Sequence, residues 1–278
     1  MARIDSHQHF WKFDSRRDSW ISEEMAAIRR DFMPEDLEPI LKQHHFDGCV
    51  VLQSAQSEDE NDFQLDQAKN NSFVKGIVGW VDLRSAALEE TLQEYKNFPL
   101  IKGFRHILQG ETNRVCMLEP DFMKGLDLLG KYNYTYDVLI FSDQLVFLEK
   151  FLKMNTANPL VINHLAKPNI KSLNLSEWSK GIQQVAKFEN VYCKVSGLVT
   201  EANWLNWQYE DFLNCLDITF NAFGPDRLMF GSDWPVCNLA GGYDKVLEIT
   251  QRYTSSLTET EQSKFWGDNA VRFYNLAK

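Results

Sequence analysis

The sequence predicts an α/β protein built as a single (β/α)8 TIM barrel, on three observations. Eight short β-rich runs recur along the 278 residues, most are followed by a stretch of helical periodicity, and the runs are nearly continuous in apolar character. Runs apolar on both faces are expected where helices cover one side of a parallel sheet and barrel packing fills the other.

The eight expected strands are Ala2–His9, Gly48–Ala55, Val74–Leu83, Ile101–Leu108, Thr135–Ile140, Leu160–Ala166, Val191–Leu198 and Arg227–Val236. Apolar residues near i, i+3, i+4 and i+7 mark helices over Pro34–His45, Leu88–Asn97, Pro120–Tyr132, Gln144–Met154, Ser176–Phe188 and Tyr209–Phe223. No linker or composition shift interrupts the pattern, so residues 1–278 are expected to form one domain. One connection is unusually long: residues 10–33, with Trp11 and Trp20, join the first strand to the first helix. Loops of that length often cover binding sites, and this one is expected over the active-site face.

Composition narrows the function. With 29 Lys and Arg against 39 Asp and Glu, the chain carries a formal charge of −10, which disfavours nucleic acid and anionic membranes as partners. Five cysteines without a C-x-x-C pair suit reduced thiols in the cytoplasm and exclude a thiolate zinc site. Neither a signal peptide nor a long apolar span is legible. The residues leave oligomeric state open, a homo-oligomer included. No G-x-G-x-x-G, P-loop or G-x-S-x-G motif occurs, so dinucleotide, nucleotide and serine-nucleophile chemistry lack a foothold.

The first strand carries His7-Gln-His9, and the strand period of two sends both imidazoles to one side, within reach of one ion. Further polar groups stand at the C-terminal ends of later strands, where barrels gather function. These are Gln53, Trp80, Asp82, Arg105, His106, His164, Lys167, Lys194, Ser196 and Asp233. Taken singly, each is better explained as a capped strand end or a surface residue. Converging on one rim, they point to a site. His44 and His45 close the first helix, where they suit the carbonyl end of its dipole.

Matching words run along almost the whole chain: His7-Gln-His9-Phe-Trp11, Arg30-Asp-Phe-Met-Pro-Glu-Asp-Leu37, Val78-Gly-Trp-Val-Asp82, Lys102-Gly-Phe-Arg-His106, His164-Leu-Ala-Lys-Pro168, Cys193-Lys-Val-Ser-Gly197 and Gly231-Ser-Asp-Trp-Pro235. On these the sequence resembles the amidohydrolase superfamily, and more closely its sugar-lactonase branch, whose substrates include L-fuconolactone and L-rhamnonolactone. The resemblance implies a hydrolase that opens an L-sugar lactone with an activated water. A metal-dependent decarboxylase and a hydrolase of dicarboxylate or pyrone-type lactones are the alternatives. A dinuclear centre is not expected, because Lys102 lies early in its strand and strand five offers Asp137 in place of a further histidine. One divalent ion, zinc first, is expected on His7, His9 and Asp233, with His164 as a further candidate; catalysis without metal is the other possibility.

Under the resemblance Asp233 is the general base, and His164 and His106 are the expected catalytic partners. His106 is expected to face the rim centre, with Arg105 as a substrate contact. Trp11, Trp80 and Trp234 offer ring faces to a small polyhydroxylated ligand, and Gln53, Asp82, Arg105 and Lys194 offer directional bonds or charge.

Overall fold

The structure is a computed structural model that describes residues 2–154, 158–172 and 174–277. Of the expected unit 1–278, residues 1, 155–157, 173 and 278 lie outside the described residues. Eight strands form one parallel sheet: β1 (Ile4–Gln8), β2 (Gly48–Leu52), β3 (Val74–Gly79), β4 (Ile101–His106), β5 (Thr135–Val138), β6 (Leu160–Ile162), β7 (Val191–Val195) and β8 (Leu228–Phe230), in that spatial order. The seam between last and first strand closes through a parallel bridge of Gln8 with Trp234. Asp233 N–H donates to His7 O at 2.8 Å and His9 N–H to Trp234 O at 2.8 Å. The result is the expected (β/α)8 barrel.

Helices α1 (Pro34–Gln43), α2 (Glu58–Lys69), α3 (Leu88–Tyr95), α4 (Pro120–Lys131), α5 (Leu145–Met154), α6 (Ser176–Val185), α7 (Glu210–Phe223) and α8 (Gly242–Thr254) follow the strands, and the short α9 (Glu259–Ser263) and α10 (Asn269–Phe273) end the chain. Sequence periodicity misses α2 because the face it buries includes Glu60, Asn61 and Gln64 rather than an apolar stripe. Those side chains are satisfied internally: Glu60 Oε1 accepts from Ser54 N at 3.0 Å and from Gln64 Nε2 at 3.1 Å. Periodicity also misses α8, which opens on Gly241 and Gly242 and carries β-branched Val246, Ile249 and Thr250.

The core has two layers. Outside the barrel, side chains such as Cys49, Val51, Ile77, Phe104 and Val195 pack against the helices. Inside it, Ile4, Val50, Leu52, Val78, Val161 and Met229 form a second cluster, closed from below by Phe273, Tyr274 and Leu276 near the C-terminus. A plugged lower end leaves the opposite rim for ligands. Among the described residues no helix is long and apolar enough to cross a membrane. All five cysteines are free and buried.

Candidate active site

Every observed strand stops short of its expected C-terminal end. β6 stops at Ile162 and β8 at Phe230, so His164 and Asp233 stand on connecting backbone above the barrel. His164, Leu165, Ala166 and Lys167 all have positive φ, at 53°, 55°, 55° and 51°. L-residues avoid that region at a cost of roughly 1–2 kcal/mol each, so a run of four is a strained turn held by its surroundings. Trp178 on α6 holds it by donating from its indole to Leu165 O at 2.6 Å. Asp233 is also left-handed, with φ 57°.

The strained backbone brings four groups together. Asp233 Oδ1 lies 3.5 Å from His9 Nε2, 3.7 Å from His7 Nε2 and 3.8 Å from His164 Nε2. These separations exceed a direct charge-assisted hydrogen bond of about 2.7–2.9 Å and suit groups that converge on one atom between them. The outer nitrogens fix two of the rings: His9 Nδ1 pairs with Leu52 O at 2.8 Å, and His164 Nδ1 with Ser196 Oγ at 2.9 Å. Glycines make room for two of them. A Cβ at Gly197 would lie 2.6 Å from His164 Nδ1, and one at Gly231 would lie 2.6 Å from His7 Cβ.

Electrostatics agree with that packing. Burial holds His164 neutral, pushing its pKa down to about 3, and drives His7 well below its ordinary value. Burial alone would raise the Asp233 carboxyl, but the facing His164 and His9 and the cation of Lys167 outweigh it and keep the group below its usual range. A carboxylate facing neutral imidazoles is a poised proton acceptor.

The cavity above this cluster has a volume of about 260 Å³. Its polar wall comprises His9, Ser54, Arg105, Gln109, His164, Lys167 and Asp233, and its apolar wall Trp11, Trp20, Ile107, Leu139 and Val236. Trp11 is buried and Trp20 is 44% exposed, so residues 10–33 contribute two ring faces to the lining. Arg105 and Gln53 stand together beside the histidines: Gln53 Nε2 donates to Arg105 O at 3.1 Å, and Arg105 Nη2 donates to Gln53 O. Arg105 Nη1 donates to Asn163 Oδ1 at 3.2 Å and lies 3.4 Å from His7 Nε2.

Five expected site residues lie elsewhere. His106 points out of the barrel, its Nε2 2.6 Å from Glu111 Oε1 and its ring against Phe122 of α4. β4 stays regular to its end, so His106 shares the outward parity of Phe104 and Arg105 takes the inside. Lys194 does point inward but one layer too low, where its Nζ is committed to Asp137 Oδ2 at 2.7 Å, with both side chains fully buried. Trp234 turns outward to pack edge-on against Phe10 and Phe32. Trp80 and Asp82 fall beyond the end of β3; Asp82 Oδ1 accepts from Arg84 N at 3.0 Å near the surface, and neither residue lines the cavity. Conversely, Ser54, Gln109, Ile107, Leu139 and Val236 line the cavity without having been assigned to it by sequence, and Lys167, placed on the rim by sequence but given no role, lines it too. Only Lys167 carried a signal, its place three residues after His164 in a polar strand end.

His7, His164 and Asp233 present ligand atoms within 4.8 Å of one another, which makes this cluster a possible metal site. The amidohydrolase family model matches residues 4–276. The L-fucono-1,5-lactonase of Burkholderia multivorans (strain ATCC 17616 / 249) is 38% identical over 285 residues, covering 99% of this chain and 96% of that protein. The L-fucono-1,5-lactonase of Burkholderia ambifaria is 33% identical over 281 residues, again covering 99% and 96%. A crystal structure of an amidohydrolase from Burkholderia multivorans with bound Zn superposes with a TM-score of 0.96 at 38% identity, over the whole of both chains.

Proposed function

The chain belongs to the amidohydrolase family, and from that membership and the geometry of the rim we propose that it opens the lactone of a six-carbon L-sugar acid, L-fuconolactone or a near relative, in cytoplasmic sugar degradation. The observation that carries the reading is the convergence of His7, His9 and His164 on Asp233 beneath a small two-faced cavity. An apolar wall with tryptophan faces suits the ring carbons of a sugar, and the polar wall suits its hydroxyls. Residues 1–278 act as one barrel unit in this reading, with residues 10–33 as its cover.

Asp233 takes a proton from water, the water oxygen adds to the lactone carbonyl, and the ring C–O bond breaks. The proton on Asp233 then passes to the departing alkoxide, leaving a free hydroxy acid. His7 and His164 stay neutral, and with His9 they hold the water between them. Arg105 presents a fixed charge beside them, supporting substrate orientation. His106, Trp80, Asp82, Lys194 and Trp234 have no direct part.

The donor set fits one divalent ion, because three ligand atoms lie within 4.8 Å of one another and His9 keeps Nε2 turned toward the same carboxylate. His7, His164 and Asp233 would hold it with His9 alongside, and imidazoles with a carboxylate suit zinc. Such an ion, when bound, lowers the pKa of water toward about 7.

The alternatives ask for a stronger anion pocket. A dicarboxylate needs more than one free cation, yet Arg105 is spent on Gln53 and Asn163, which leaves Lys167 as the cation on the cavity wall to receive it. The test is acid release: purified protein is mixed with L-fuconolactone, related aldonolactones, a pyrone dicarboxylate and a hydroxybenzoate in weak buffer. Acidification with aldonolactones alone supports the reading. Turnover confined to the dicarboxylate, or carbon dioxide release from the benzoate, replaces it. Metal content of protein purified without added ions, followed by assay after chelation, decides whether the ion is used.

A further inference from the structure

We propose that Lys167 is a substrate-contacting residue, the cation that receives the acyl oxygen of the lactone as it gains charge and becomes an oxygen of the product carboxylate. The proposal rests on the lactonase reading above.

The backbone supplies the first argument. Four consecutive left-handed residues, His164 to Lys167, form one tight turn in which Lys167 N–H donates to His164 O at 2.7 Å. At about three residues per turn, side chains three apart lie over one another. His164 and Lys167 therefore leave the turn on the same side, and both line the cavity. None of the four is a glycine or asparagine that would adopt this conformation readily, so the placement is maintained against local preference. An extended continuation of β6 would alternate the side chains and separate the pair.

Donor accounting supplies the second. The hydrolysis creates an anion in a cavity that already holds the buried Asp233 carboxylate, so a donor must face it. Arg105 has its two terminal nitrogens engaged by Gln53, Asn163 and His7. Lys194 is engaged by Asp137, and His164 Nδ1 by Ser196. Lys167 Nζ has one carboxylate neighbour, Glu201 Oε1 at 3.4 Å, and an ammonium carries three N–H donors. Glu201 lies on the turn after β7 and holds the ammonium from the side, with both side chains about one-fifth exposed. The Lys167 charge is felt at both Asp233 and His164, as a group facing the same small space would be.

The step balances without a further reactant. The acyl oxygen keeps its bond to carbon throughout, Lys167 keeps its protons, and the only proton transferred is the one Asp233 moves from water to the leaving oxygen.

Wild-type protein, Lys167→Met and Lys167→Arg are assayed for lactone opening and for inhibition by the product aldonate. Lys167→Met is expected to lower kcat by roughly 10²-fold and to weaken aldonate inhibition about tenfold, with the melting temperature held or raised; Lys167→Arg should recover part of both. Should the methionine variant fail to fold, Lys167→Gln reads the same two quantities without the charge, and wild-type values in both would count against the contact. A folded Lys167→Met with kcat and aldonate inhibition within twofold of wild type overturns the proposal while the lactonase reading stands. A wild type inactive on every aldonolactone overturns both.

Discussion

His9 and Asp233 meet Nε2 to Oδ1 at 3.5 Å across the seam that closes the barrel, and the same seam is tied by the backbone bonds Asp233 N–H to His7 O and His9 N–H to Trp234 O. Barrel closure thus delivers the carboxylate to the imidazoles, independently of the charge on Asp233. Asp233→Asn keeps the backbone bonds and the side-chain volume but removes the proton acceptor. It should lower kcat by roughly 10²–10⁴-fold with far-UV circular dichroism unchanged. An asparagine variant that acidifies lactone at the parent rate shows that another group is the base.

The adjacent pair Arg105 and His106 gives a paired test of strand parity. Arg105 is 3% exposed within the site, whereas His106 faces Glu111 and Phe122 outside it. Arg105→Ala removes a buried charge and strands its partners, so kcat/KM should fall at least 10²-fold, on the order of 3 kcal/mol. His106→Ala should leave kcat/KM within about threefold, a difference well under 1 kcal/mol. Equal losses in the two variants would contradict the assigned faces.

The same pair shows what was legible in the sequence. Alternation along a strand sets Arg105 and His106 on opposite sides, but which of them faces inward depends on Phe104 packing among the helices, a contact distant in sequence. The H-x-H spacing identified His7 and His9 because a strand repeats every two residues. His164 and Lys167 share a face only because their backbone leaves the strand for a left-handed turn, and sequence periodicity carries no trace of that. Lys194 resembled a site residue because an inward lysine looks the same at any depth of a barrel. Its partner Asp137 sits opposite it in the interior, where Tyr274 from the far end of the chain also donates to that carboxylate, at 2.8 Å.

That buried pair has its own pH signature. Burial outweighs Asp137 and lowers the Lys194 pKa to about 8, against about 10.5 in an unfolded chain. Between those values the unfolded chain binds more protons than the folded one, so this group makes stability rise with pH there. Urea unfolding at intervals from pH 8 to 10 should show that contribution in wild type and lose it in an Asp137→Leu/Lys194→Met double variant. Lys194→Met alone should cost about 3–5 kcal/mol by leaving Asp137 unpaired, and the double variant much less. A single variant as stable as the double one would mean that the pair is not coupled.

Gly197 and Gly224 separate backbone strain from steric displacement at the site. Their φ angles are nearly equal, 63° and 65°, and Gly224 combines its own with ψ 174°, so alanine is strained at both positions, by about 1–3 kcal/mol. Their surroundings differ. A Cβ at Gly197 would lie 2.6 Å from His164 Nδ1, whereas one at Gly224 meets nothing within 4 Å. Gly197→Ala must therefore also push the His164 ring away from Ser196 Oγ, its partner at 2.9 Å. Both variants should melt a few degrees lower, roughly 2–4 °C per kcal/mol for a chain of this size. Only Gly197→Ala should lose activity, by tenfold or more at a temperature where both remain folded. Equal activities would show that the orientation of His164 is not needed for turnover, and its place in the mechanism would fall.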